Sequence, residues 1–176
     1  MNIKTQIRIF IVEDNKVFAH TLKADIETTF VNMPIKIHLF ETGEVCMQKF
    51  IEEKPQIVIL DYHLNSKNPD AADGIKVLDW IKKENKETNV IILTGDDHVD
   101  IALKSFKHGA SDYVVKTDTQ FRKIIYTLFN LFRIMEAKSE TRRYKFLVVG
   151  LFLCITIMVG WLIAIRIFNP SLLIPK

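Results

Sequence analysis

Residues 1–130 predict a doubly wound α/β fold with a parallel sheet, and three observations carry that expectation. Five short runs rich in β-branched and apolar residues recur: Ile7–Val12, Ile35–Phe40, Ile57–Leu60, Val90–Leu93 and Tyr113–Val115. Longer stretches with helical spacing separate them, as in a chain of strand–helix units. Four of the five runs are almost continuously apolar, as parallel strands covered on both faces require.

Taken in order, each element has its own signals. The stretch after the first strand places Ala19, Leu22, Ile26 and Phe30 at a 3-4-4 spacing, one face of a helix. The second strand alternates instead, Ile35, Ile37 and Leu39 against Lys36 and His38, as an edge strand with one wet face would. Thr42 is placed to cap the second helix and Asp97 the fourth, while Gly109 falls where a helix end favours a left-handed residue. Thr117-x-x-Gln120 has the spacing of a capping box. Beyond it, Ile124, Leu128, Leu131, Phe132 and Met135 form a stripe on a helix expected over residues 118–145. Phe121, Phe129 and Phe132 are read as packing residues, and His20, His98 and His108 as solvated ones. No internal repeat or low-complexity tract interrupts the pattern.

Residues 146–165 are different, running twenty positions without a charge. A helix of that length covers roughly 30 Å, the hydrocarbon thickness of a bilayer, and predicts one C-terminal transmembrane helix. The expected organisation is a domain over 1–130, a basic helical linker over 131–145, a transmembrane helix over 146–168 and a short tail over 169–176. The charge is split in the same way. Residues 1–130 hold 17 Lys+Arg against 19 Asp+Glu, a net of −2, and residues 131–176 hold 7 against 2, a net of +5. The basic excess therefore flanks the apolar span and does not form a nucleic-acid-binding face, so no nucleic-acid partner is expected. Arg133, Lys138, Arg142, Arg143 and Lys145 precede the span, and only Arg166 and Lys176 follow it. The positive-inside rule then puts the first domain in the cytoplasm and the tail across a membrane, a bacterial inner membrane by expectation, with Trp161 near the far interface. Thr156, Gly160 and Ala164 make a small-residue stripe along which two spans would meet as a homodimer. Cys46 and Cys154 are too few for a disulfide framework, and the opening MNIKTQIRIFIVED lacks the features of a secretory leader.

Ligands of an open parallel sheet sit outside the carboxyl ends of its strands, where strand order reverses. In the flavodoxin-like order 2-1-3-4-5 the first and third strands are neighbours. Glu13-Asp14 and Asp61, which follow them, would then converge. Crowded carboxylates call for a cation, and an oxygen-rich set of few protein ligands suits Mg²⁺. Thr94 ends the fourth strand with a hydroxyl, Gly95 beside it leaves space for an incoming group, and Lys116 ends the fifth with an ammonium. A carboxylate nucleophile, a metal, a hydroxyl and a lysine together suit phosphoryl transfer.

Glu13-Asp14, Asp61, Thr94 and Lys116, in this order and each at a strand end, with the run Gly-Ala-Ser-Asp-Tyr-Val-Val-Lys at 109–116, resemble the signature of response-regulator receiver domains. The resemblance covers about residues 5–130. It implies phosphorylation of Asp61 by a sensor histidine kinase, a phosphotransfer protein or a small phosphodonor. It also implies Mg²⁺ held by Glu13, Asp14, Asp61 and the backbone carbonyl of His63, phosphoryl contacts from Thr94 and Lys116, and a switch formed by Thr94 and Tyr113. Three departures stand out. Thr117 replaces the family's usual cis-proline after the lysine; a cis bond there costs about 2.5–4 kcal/mol, which predicts a trans bond and a displaced Lys116. The loop from Asp61 to Asp73-Gly74 is about five residues longer than usual. His63 and Asp96 occupy positions that in the family tune the lifetime of the phosphoryl group.

The expected function is a membrane-anchored, stand-alone receiver, a phosphoacceptor and not an enzyme, which signals through a partner protein because no output domain follows. Two alternatives stay open: a pseudo-receiver acting as a constitutive membrane scaffold, and a phosphohydrolase with an aspartate nucleophile. Against the second, His63 stands where such enzymes usually carry another Asp.

Overall fold

The computed structural model of the chain describes residues 6–64, 71–95 and 98–168, leaving aside the side chains of 139–147, 162 and 164–168. Strands and helices alternate: β1 (Ile7–Val12), α1 (Lys16–Thr29), β2 (Ile35–Phe40), α2 (Gly43–Glu53), β3 (Ile57–Asp61), α3 (Gly74–Glu84), β4 (Asn89–Thr94), α4 (Val99–Lys107), β5 (Asp112–Val115) and α5 (Gln120–Phe168). The sheet is parallel throughout in the order β2-β1-β3-β4-β5, the flavodoxin-like arrangement. In register, Ile9 to Val12 stand beside Ile57 to Leu60, so β1 and β3 end side by side. Two compact units divide the chain, Met1–Phe132 and Arg133–Lys176.

The central strands β1, β3 and β4 are buried on both faces, which is why they read as unbroken apolar runs, while the edge strand β2 is only partly buried. On one face Phe10, Val12, Val58, Leu60, Val90 and Ile92 join Phe50 of α2 and Leu78 and Ile81 of α3 in one core. Alternate residues Ile9, Ile11, Ile57, Ile59, Ile91 and Leu93 are equally buried on the other face. The helix signals are local. Asn15, Thr42 and Asp73 cap α1, α2 and α3, each accepting a bond from the N–H three residues on. Ala19, Leu22 and Ile26 of α1 are buried, and Phe30 at its end meets Phe132 edge-on, ring centroids 5.0 Å apart. Gly109 has φ +94°, the left-handed position expected of it after α4.

Four expectations are corrected. The N-cap of α4 is His98, with no side-chain bond, and Asp97 lies outside the described residues. The Thr117–Gln120 box does not form: α5 starts only at Gln120, with Lys123 N–H donating to the Thr119 carbonyl at 3.1 Å. The Thr117 hydroxyl meets Thr119 instead, at 3.3 Å. His108 is not simply solvated, because its Nδ1 lies 2.6 Å from Asp79 Oδ1, joining the end of α4 to α3. Of the three phenylalanines read as packing residues, Phe129 stays exposed, while Phe132 is fully buried and Phe121 half-buried.

Among the described residues no helix is long and apolar enough to cross a membrane. The span expected at 146–165 includes Phe146, Leu147, Leu162, Ala164 and Ile165, whose side chains lie outside the described residues, as does the tail from Asn169 to Lys176. The side chains that are described between Val148 and Ile163 are all exposed, including Leu151, Phe152, Ile157, Met158 and Trp161.

Gly74 opens α3 directly against the end of β3. A Cβ there would run into the Asp61 carbonyl oxygen and stand 2.7 Å from Tyr62 Cα, closer than backbone tolerates. Gly74→Ala is therefore expected to destabilise the chain by on the order of 1–3 kcal/mol, read as a lower midpoint in urea unfolding.

Candidate functional site

The register of β1 and β3 sets the site. Glu13 and Asp14 follow the last residue of β1, and Asp61 ends β3, so one carboxylate oxygen from each lies within 4.8 Å of the others. Glu13 and Asp61 are buried, at 2% and 3% exposure, and Asp14 is half-buried. Burying two carboxylates side by side is costly unless a cation stands among them. Lys116, from the end of β5, supplies one: its Nζ donates to Glu13 Oε2 at 2.7 Å and lies 3.0 Å from Asp61 Oδ1. The approach to Asp61 is a short ion pair, and among the described residues Asp61 Oδ1 has no neutral hydrogen-bond donor beside it.

The charges answer one another. Burial pushes the Glu13 carboxyl above its ordinary pKa, neighbouring Asp61 adds to this, and Lys116 offsets only part of it. For Lys116 burial acts to lower the pKa, but the charges of Asp61 and Glu13 and the bond to Glu13 outweigh it and leave the ammonium held above its usual value. Among the described residues, this ammonium answers two of the three clustered carboxylates, Glu13 and Asp61. Three carboxylate oxygens converging beside one ammonium, an all-oxygen donor set, fit a hard divalent cation such as Mg²⁺.

The remaining sequence-predicted residues fall around this cluster. Thr94 ends β4 with its side chain fully buried, and its carbonyl accepts the Lys116 N–H at 2.7 Å. No described peptide bond is cis, so Lys116–Thr117 is trans as expected. The expected displacement of Lys116 does not follow, because its ammonium reaches both carboxylates. A Cβ on Gly95 would meet nothing within 4 Å, so the space beside Thr94 is open. Tyr113 is half-buried against the α2–α3 core. His63 follows Tyr62 with the two rings edge-on at 4.8 Å. Residues 65–70 of the long loop, and Asp96, lie outside the described residues.

Three contributors went unread in the sequence. Asn15 N–H donates to Glu13 Oε1 at 3.3 Å, turning that carboxylate inward. Glu44, at the start of α2, accepts the Ala72 N–H at 2.9 Å and ties down the far end of the long loop; this bond first of all lowers its pKa. Phe18 lies with its ring centroid 5.0 Å from Lys116 Nζ. Only the tertiary fold, joining residues 28 and 98 positions apart, brings the last two contacts about.

A raised Glu13 pKa has a definite sign. Its folded state binds the proton more tightly than the unfolded chain, so this contribution to stability is full below the ordinary glutamate pKa and is lost as pH rises through the folded value. Glu13→Gln is expected to raise the melting temperature at neutral pH in divalent-free buffer. The advantage over wild type should shrink to nothing as pH falls through the glutamate range.

Comparison with known proteins agrees with this geometry. The family model of the response regulator receiver domain matches residues 9–126. The probable C4-dicarboxylate response regulator DctR of Bacillus subtilis is 28% identical over 138 residues, 78% of this chain and 53% of that protein. The regulatory protein AtoC of Escherichia coli is 28% identical over 109 residues, 62% of this chain and 22% of that one. The chain thus spans about half or less of the length of these relatives. Among solved structures, the signal receiver domain of a LuxO repressor protein from Vibrio parahaemolyticus is 31% identical with a TM-score of 0.63, covering 76% of this chain and 96% of that one. A BeF3-activated DrrB receiver domain is 26% identical with a TM-score of 0.62, covering 73% and 99%. With five parallel strands in the receiver order and an acidic cluster at the ends of β1 and β3, the chain belongs to the response regulator receiver domain family.

Proposed function

We propose that the chain is a membrane-anchored receiver that accepts a phosphoryl group on Asp61 and signals through a partner protein. The observation that carries this is the Asp61 carboxylate itself, buried, with Oδ1 3.0 Å from the Lys116 ammonium and an oxygen within 4.8 Å of those of Glu13 and Asp14. An Asp61 oxygen attacks the phosphorus of the donor, an acyl phosphate forms, and the donor's bond to phosphorus breaks. Lys116 neutralises the phosphoryl oxygens as charge gathers on them, and the Thr94 hydroxyl offers a further bond. Glu13, Asp14, Asp61 and the His63 carbonyl would hold Mg²⁺, which when bound supplies charge neutralisation at the transferring group. The donors are a sensor histidine kinase or phosphotransfer protein. Thr94 and Tyr113 pass the change to the surface around β5, shifting an equilibrium between two states.

The apolar run supports the anchor. A helix that is uncharged and exposed all round, as over the described residues from Val148 to Trp161, is unfavourable in water and suits a bilayer. The basic residues before the run support the same reading, with the receiver in the cytoplasm, 131–145 as linker, 146–168 as the membrane segment and 169–176 as a short tail. The Thr156, Gly160 and Ala164 stripe is then available for pairing with a second copy.

Two measurements test the two halves. Acetyl phosphate with Mg²⁺ should add one phosphoryl group to the intact mass of the wild-type chain and none to Asp61→Ala. Steady release of phosphate from simple esters would instead reveal a phosphohydrolase. Expressed in bacteria, the chain should stay in the membrane pellet through carbonate washing, and the double variant Leu153→Lys, Ile157→Lys should move to the soluble fraction. A wild type released by carbonate would remove the anchor from the proposal.

A further inference from the structure

Lys116 leaves β5 with its backbone N–H held by Thr94, and its side chain must then reach to the ends of β1 and β3. The carboxylates of Glu13 and Asp61 attract its ammonium, at 2.7 and 3.0 Å. Attraction alone does not fix a lysine, whose flexible four-carbon stem leaves the ammonium many positions around two neighbouring acids. A third neighbour narrows the choice. The Phe18 ring centroid lies 5.0 Å from Nζ, inside the range of about 6 Å over which a cation is drawn to an aromatic face. Phe18 is itself held, stacked on Phe121 with centroids 5.2 Å apart and planes 24° from parallel. Both rings belong to the first turns of their helices. The Phe18 N–H is the one capped by Asn15, at 3.2 Å, and Phe121 is the second residue of α5. The short connections that place Glu13-Asp14 and Lys116 therefore place the two rings as well.

We propose that Phe18, backed by Phe121, is a positioning residue for Lys116: its ring holds the ammonium at the Asp61 carboxylate, ready for the phosphoryl oxygens as the bond to Asp61 forms. This rests on Asp61 as the phosphoacceptor. It differs from a role for the two rings as a docking patch. A ring that acts on Lys116 matters with every donor, whereas a docking ring matters only with a protein donor.

Phe18→Leu removes the aromatic face and keeps an apolar side chain, and Phe18→Tyr keeps the ring. In the full 176-residue chain in mild detergent, phosphorylation by acetyl phosphate is expected to slow about tenfold in Phe18→Leu. The rate should return close to wild type in Phe18→Tyr. A second readout needs no phosphoryl transfer. With ¹³Cε-labelled lysine, the Lys116 signal, identified by its loss in Lys116→Arg, should gain fast motion in Phe18→Leu and not in Phe18→Tyr. Unchanged acetyl phosphate rates and unchanged Lys116 motion in Phe18→Leu overturn the proposal and leave Asp61 as acceptor. A slow Phe18→Leu that Phe18→Tyr fails to match also overturns it. If the wild type takes up no phosphoryl group, the assignment of Asp61 fails instead, and the motion of Lys116 decides the role of Phe18.

Discussion

Among the described residues, three carboxylates and one ammonium share the carboxyl ends of β1, β3 and β5, two of the acids almost wholly buried, and the rest of this unit is arranged so that the crowd can exist. Such a cluster opposes folding by itself, since burial and mutual repulsion both favour protonation. It persists because the strands carrying it are locked into a core buried on both faces, which holds the acids where they are. Secondary contacts then refine their aim. The Asn15 N–H draws Glu13 inward, Gly74 lets α3 begin against the Asp61 carbonyl, and Glu44 fastens the return of the long loop. The unit therefore carries a locally unfavourable group of charges on a stable frame, a common arrangement where activity and stability compete.

Much of this frame was readable from residue order. Parallel strands leave a plain trace, apolar throughout in the centre and alternating at the β2 edge, and Ile7–Val12 and Ile35–Phe40 match their expected limits while the other three extend by one or two residues. Thr42 and Gly109 were legible because a cap or a left-handed turn depends on a few neighbouring residues. The acids and Lys116 were legible because a strand end is both a sequence position and a place in the fold. Where reading failed, the deciding partner was usually distant, as where Asp79 meets His108 across 29 positions. The Thr117 box failed locally instead, because Thr117 meets Thr119, two residues on, and the helix starts at Gln120. Lys116 was expected to be displaced because only its successor was considered. The acids that draw it in, and the ring beside it, come from elsewhere in the chain.

The two ends of α4 are secured unequally. Its last turn is moored by the His108–Asp79 bridge to α3 and by a turn at Gly109 that lies against the stem of Lys82. Its first turn begins at His98 without a side-chain cap, and Val99 there is 81% exposed. Among the described residues the contacts therefore favour a helix that opens from its N-terminal end, with its C-terminal end as the hinge. The free edge is the one next to Thr94 and Gly95, so a small change at the end of β4 acts where the leverage is greatest.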